Sequence, residues 1–203
     1  MNYFLLDVET NGLDSKVHEV SEISIIRCAD LKQMTRLIKI ERPEKTSPRA
    51  LEATGRTFAD LKKGISKEEA VEACHNFILS DDAPSPEHRC IIGHNVFAFD
   101  RRFVIELWNK CGKVFPATFW LDTKVMAKEY AKKNGMVKPS LTLKSCLGFC
   151  NIKPRGKEHT AVSDTQNNYI LYDFLKKNGV DHLPYIKRHD LEENYNSDDE
   201  EDT

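Results

Sequence analysis

No apolar run in this 203-residue chain approaches the roughly 20 residues that a helix needs to cross a bilayer, so a membrane span is not expected. Glycine and proline number only nine and eight, which excludes a collagen-like or low-complexity chain. No internal repeat is visible, and a solenoid or propeller is therefore not expected. The start, Met1-Asn2-Tyr3-Phe4-Leu5-Leu6-Asp7, meets a carboxylate too early for a secretory apolar segment. An intracellular protein, cytoplasmic or nuclear, with its six cysteines as free thiols is the expectation. Cys146 and Cys150 lack a second pair of ligands nearby, which points away from a zinc site.

What is present has ordinary soluble proportions, 40% hydrophobic and 31% charged. A chain of this length buries roughly 70% of its unfolded surface and folds without staples. The net charge of −2 hides an asymmetry, because the segment from Asp190 to Thr203 holds eight acidic residues and no Lys or Arg. The rest carries 30 basic and 24 acidic residues, a net +6. A basic body suits a polyanionic partner, and a like-charged, aromatic-poor tail is expected to be disordered. One folded domain over 1–188 and an acidic tail over 189–203 is the resulting division.

Residues 3 to 10 are apolar apart from two carboxylates, as in a central strand covered on both faces. Strand-like runs at 19–28 and 34–40 follow closely and suggest an antiparallel meander. After Pro43 and Pro48 the texture turns helical, with Ser66 as the N-cap of a helix carrying Ala70, Cys74, Phe77 and Ile78. Short strands at 90–93 and 119–121 alternate with helices starting near Asp100, Asp122, Thr142 and Thr160. The pattern predicts an α/β fold with a mixed five-stranded sheet and helices on both faces.

Strand side chains two apart share a face, so Asp7 and Glu9 project side by side from the most buried strand. Two like charges in a dry interior raise each other's proton affinity unless cations neutralise them, and oxygen-only clusters suit hard ions such as Mg²⁺. Asp100 sits where a strand hands over to a helix. Asp164 shares a helical stripe with Asn168, Leu171 and Leu175, while His159 belongs to the loop before that helix. His94 reads as a structural hydrogen-bonding residue.

Asp-x-Glu followed by Thr-Asn-Gly-Leu, then Phe-Asp-x-x-Phe, then His-x-Ala-x-x-Asp opening the last helix resembles the DEDDh family of 3′–5′ exonucleases. The resemblance covers about residues 3 to 177, and its nearest pattern is that of proofreading epsilon subunits of bacterial DNA polymerase III and their stand-alone relatives. It implies a ribonuclease H-like fold and hydrolysis assisted by two Mg²⁺ ions, with Mn²⁺ able to substitute. Asp7, Glu9, Asp100 and Asp164 would hold the ions, and His159 would be the general base. Thr10, Gly12 and Leu13 would line the terminal-nucleotide pocket, Leu13 as a wedge, with Asn95, Phe99 and Phe103 supporting it. Lys153, Arg155 and Lys157 flank the His159 loop and are placed for phosphate contact, though a solvated loop has the same composition.

The implied substrate is a single-stranded or frayed 3′ end, DNA favoured, with a polymerase or other replication protein as partner. Asn95 stands five residues before Asp100, however, and this spacing together with Asp100-Arg101-Arg102-Phe103 resembles oligoribonuclease, which leaves RNA open. A nucleic-acid-binding subunit whose chemistry has lapsed is a third reading, set against which all five family positions are filled.

The charge asymmetry predicts that the tail competes with nucleic acid for the basic body. A chain ending at Arg188 should bind a labelled single strand more tightly than the full chain at low salt, by fluorescence anisotropy. The difference should shrink as ionic strength rises. Equal affinities at the lower salt would make the tail a solvated appendage.

Overall fold

The computed structural model describes residues 1–157 and 159–189, so the acidic tail from position 190 onward lies outside the described residues. Strands β1 (Asn2–Thr10), β2 (Val20–Arg27) and β3 (Gln33–Leu37) form the expected antiparallel meander. A short helix α1 (Pro48–Thr54) and a longer α2 (Lys67–Leu79) then lead to β4 (Arg89–Gly93). After it come α3 (Asp100–Lys110), β5 (Phe119–Asp122), α4 (Thr123–Lys133), α5 (Leu143–Phe149) and α6 (Ala161–Lys177).

The sheet has six strands rather than the five expected, in the order β3-β2-β1-β4-β5-β6, where β6 is Ile186–Arg188. Three residues, two of them exposed and basic, carry no alternation that a sequence could reveal. β6 exists because the free edge of β5 pairs with it antiparallel, which is a tertiary effect. Pairing of β1 with β4 and of β4 with β5 is parallel, so the sheet is mixed and the C-terminal ends of these three strands share one edge.

Local chemistry explains the helix starts. Ser66 and Glu69 form a reciprocal capping box on α2, and the side chains of Asp122, Thr142 and Thr160 accept backbone N–H groups at the starts of α4, α5 and α6. Alternation along β1 then divides the core. Phe4, Leu6 and Val8 pack with Ile23, Ile25 and Ile91 against α2 and α3. Leu5 packs with Ile26, Ile92 and Leu121 against α4, α5 and α6. Asp7 and Glu9 continue the Leu5 face, so their carboxylates emerge on the α6 side where β1 ends. All six cysteines are unpaired, and among the described residues no helix is long and apolar enough to cross a membrane.

Candidate active site

Asp7 and Glu9 stand on β1, and Asp164 lies in the first turn of α6, which packs across that strand. One carboxylate oxygen from each lies within 4.8 Å of the others, and all three side chains are partly exposed. Asp100 comes to the same place from α3. It is 4% exposed, and its Oδ1 accepts the Val8 backbone N–H at 3.0 Å, which fixes it against the end of β1. His159 is exposed on the loop before α6, with φ of 59°, and its backbone N–H donates to Asp164 Oδ2 at 3.1 Å. The five residues that the motifs singled out are thus gathered at one end of β1.

The electrostatics follow from this crowding. Burial, then the negative charges of Asp100, Glu9 and Asp164, hold the Asp7 carboxyl well above the usual carboxylate range. Burial and Asp164 push Glu9 up to about 7, against the opposing pull of the Arg56 guanidinium. Asp100 is pushed up to about 7 by burial, and the Val8 N–H bond works the other way. Each proton taken up neutralises part of the cluster, as a bound cation would. The donor set is all carboxylate oxygen, closely spaced and reachable from solvent, and it fits a hard divalent ion such as Mg²⁺.

Around the acids, the Thr10 hydroxyl closes the turn by donating to the Gly12 carbonyl at 2.6 Å. A Cβ on Gly12 would come within 2.0 Å of the His18 ring, so this close approach needs glycine. Leu13 on the same turn is 80% exposed, an apolar side chain held out into solvent. Asn95 adopts φ of 62°, donates its N–H to Asp122 Oδ1 at 2.8 Å, and accepts from Lys124 Nζ at 3.3 Å. Phe99 is half-buried with its ring 4.9 Å from that of Phe103, whereas Phe103 is a core residue, 3% exposed. Lys153, Arg155 and Lys157 are exposed, and Asn167 binds both the N–H and the carbonyl of Arg155 to hold their loop on α6.

His94 serves structure: its Nδ1 lies 3.0 Å from the Thr123 hydroxyl and its Nε2 2.8 Å from the Leu141 carbonyl. Thr123 in turn donates to Asn168 Oδ1 at 2.6 Å, one helical turn beyond Asp164. Two residues near the acids escaped the sequence reading, Glu22 and Arg56. Glu22 lies directly opposite Glu9 in the β1–β2 register and receives a hydrogen bond from Arg56. A lone carboxylate inside the apolar run Val20-Ser21-Glu22-Ile23-Ser24-Ile25-Ile26 was the available signal.

The exonuclease family model matches residues 4–172. The PolC-type DNA polymerase III of Thermotoga petrophila is 28% identical over 193 residues, covering 91% of this chain and 13% of the polymerase. Its counterpart in Thermotoga maritima is 26% identical over 194 residues, covering 92% and 13%. The chain therefore spans about one eighth of the length of these curated relatives. Among solved structures, the zinc-bound complex of E. coli ExoI with single-stranded DNA superposes with a TM-score of 0.73 at 17% identity, covering 88% of this chain and 41% of that one. E. coli exonuclease I with a dT13 oligonucleotide gives 0.71 at 16%, covering 90% and 42%. Exonuclease I of Methylocaldum szegediense gives 0.69 at 18%, covering 88% and 41%.

The raised carboxyls imply an inverted stability profile without metal. An acid whose folded pKa exceeds its unfolded value stabilises the fold at low pH, and that contribution is lost as pH rises through the folded value. For Glu9 and Asp100 the loss runs from ordinary values of 4.5 and 3.8 up to about 7. In chelator, stability should fall by on the order of 3 kcal/mol between pH 5 and pH 8. Asp7→Asn should be more stable than wild type at pH 8 in chelator, and Mg²⁺ should flatten the wild-type profile. Urea unfolding at the two pH values checks this; an Asp7→Asn variant less stable than wild type at both would overturn it.

Proposed function

Because the chain belongs to the exonuclease family, as a DEDDh-type 3′–5′ exonuclease of the ribonuclease H-like superfamily, we propose that it releases nucleoside 5′-monophosphates from unpaired 3′ ends, with DNA favoured. The observation that carries this reading is the meeting of Asp7 and Glu9 with Asp164 within 4.8 Å, beside a histidine whose backbone is tied to Asp164. Relatives named as DNA polymerases and neighbours solved with oligodeoxynucleotides support DNA over RNA, and the polymerase names support a replication protein as partner.

Asp7, Glu9, Asp100 and Asp164 are the residues that would hold two divalent cations. Such ions, when bound, supply Lewis-acid stabilisation of charge on the phosphoryl and leaving oxygens and make water more acidic. The chain's own groups do the rest. His159, exposed on its loop and anchored through its N–H, can bring its ring to the attacking water and accept its proton. Leu13 meets the terminal base with an apolar face, which a paired end cannot offer without fraying. The ring of Phe99, backed by Phe103, and the turn closed by Thr10 and Gly12 would bound the sugar and base of that last nucleotide. Lys153, Arg155 and Lys157 are placed for phosphates farther along the strand.

Two measurements test this. Matched 5′-labelled single-stranded DNA, single-stranded RNA and frayed duplex, digested side by side in Mg²⁺, should give ladders shortening from the 3′ end, fastest on single-stranded DNA. A faster RNA ladder would replace the substrate with RNA, and no shortening of any strand would remove the enzyme reading. His159→Ala should lower kcat by about 10²–10⁴-fold with KM within threefold, and added imidazole should restore part of the rate. A near-normal kcat would take the base role from His159.

A further inference from the structure

Next to the acid cluster stands a fifth carboxylate to which the exonuclease reading gives no task. Glu22 is 6% exposed and sits across from Glu9 in the antiparallel register, on the same face of the sheet as Asp7 and Glu9. Left bare, it would be one more oxygen donor beside the cation site and one more negative charge on it. It is not bare. Gly55, with φ of 63°, closes α1 in the left-handed region, and the next residue, Arg56, reaches back over the sheet. Its Nη2 donates to Glu22 Oε2 and its Nη1 donates to Ser21 Oγ at 2.9 Å, so the planar fork is held at two points.

We propose that Arg56 is a positioning residue for the metal site: it engages Glu22 and keeps it out of the ligand set, leaving the cations to Asp7, Glu9, Asp164 and Asp100, and its charge beside Glu9 sets how tightly they are held. The inference rests on the metal-dependent reading above. The competing account is a buried ion pair that only ties the segment after α1 to β2. That role would show in stability and leave cation affinity alone.

Charge arithmetic separates the two. At the effective dielectric typical of partly buried sites, one unit charge several ångströms away changes cation affinity on the order of tenfold. Mn²⁺ binding to the full chain, measured by calorimetry without nucleic acid, should therefore weaken about tenfold in Glu22→Gln, where Arg56 is unopposed. It should tighten about tenfold in Arg56→Met, where Glu22 is released. The double variant, which loses both charges, should return to within about threefold of wild type, because the two opposite charge effects cancel additively, whereas a tie between segments predicts no change in affinity in any of the three. Should Arg56→Met fail to fold, the near-isosteric Glu22→Gln decides alone: weakened binding supports the proposal, and affinity within twofold of wild type overturns it. Wild-type protein that binds no Mn²⁺ would overturn the metal-dependent reading and this inference together, whereas wild-type binding that neither variant alters overturns this inference only.

Discussion

Repulsion among carboxylates gathered at the end of one central strand is the constraint around which this fold is arranged. β1 is flanked by β2 and β4 and covered on both faces, and Leu5 beneath the cluster is wholly buried. Such a position is costly for charge. The structure meets the cost by ending the packed core two residues below Asp7, so that the acids stand where the sheet opens to solvent. Two helices also begin there, α3 at Asp100 and α6 with Asp164 in its first turn. Their N-terminal backbone dipoles present partial positive charge to the anions and offset part of the repulsion. The remainder appears as raised proton affinity, and it is this remainder that suits the cluster to a cation.

Much of this was legible in the residues. Asp-x-Glu on an apolar strand fixes two carboxylates on one face by the period of two, and the structure places them on the side where α6 packs. The meander, the capping of α2 at Ser66 and the start of α3 at Asp100 all follow from local patterns that tertiary packing did not override. What was not legible depends on partners distant in sequence. β6 is a strand only because β5 offers an open edge. Glu22 gains meaning from its register opposite Glu9, and a register cannot be read from either strand alone. Arg56 lies in a connecting segment whose path is set by the left-handed turn at Gly55.

Holding four acids from three elements in register needs more than the sheet. Thr123, at the start of α4, lies between the end of β4 and α6, its hydroxyl donating to Asn168 Oδ1 at 2.6 Å with the Gly93 carbonyl 3.2 Å from the same oxygen. His94 adds the Leu141 carbonyl before α5 to the same network. Because Asn168 follows Asp164 by one turn, and His94 precedes the loop that ends at Asp100, a shift at either end is felt at the other. Buried networks of this kind are rigid when every member is satisfied. The two halves of the acid site are thereby fixed to a common frame that contains no acid of the cluster.

The base role proposed for His159 sets the opposite requirement. A group that accepts a proton from water must reach solvent and must let the product leave, so a ring locked in the core would serve poorly. The loop solves this by fixing the backbone and leaving the side chain exposed, through the N–H bond to Asp164 Oδ2. A hydrogen bond to a carboxylate is stronger when the carboxylate is ionised. The loop is therefore held best when the cluster carries its full charge, the same state that holds cations best. A carboxylate has two oxygens and about four lone-pair sites, so Asp164 can serve the His159 backbone and a cation at once. With cations held as proposed, one side chain would link the readiness of that site to the position of the histidine, with no separate device to coordinate them.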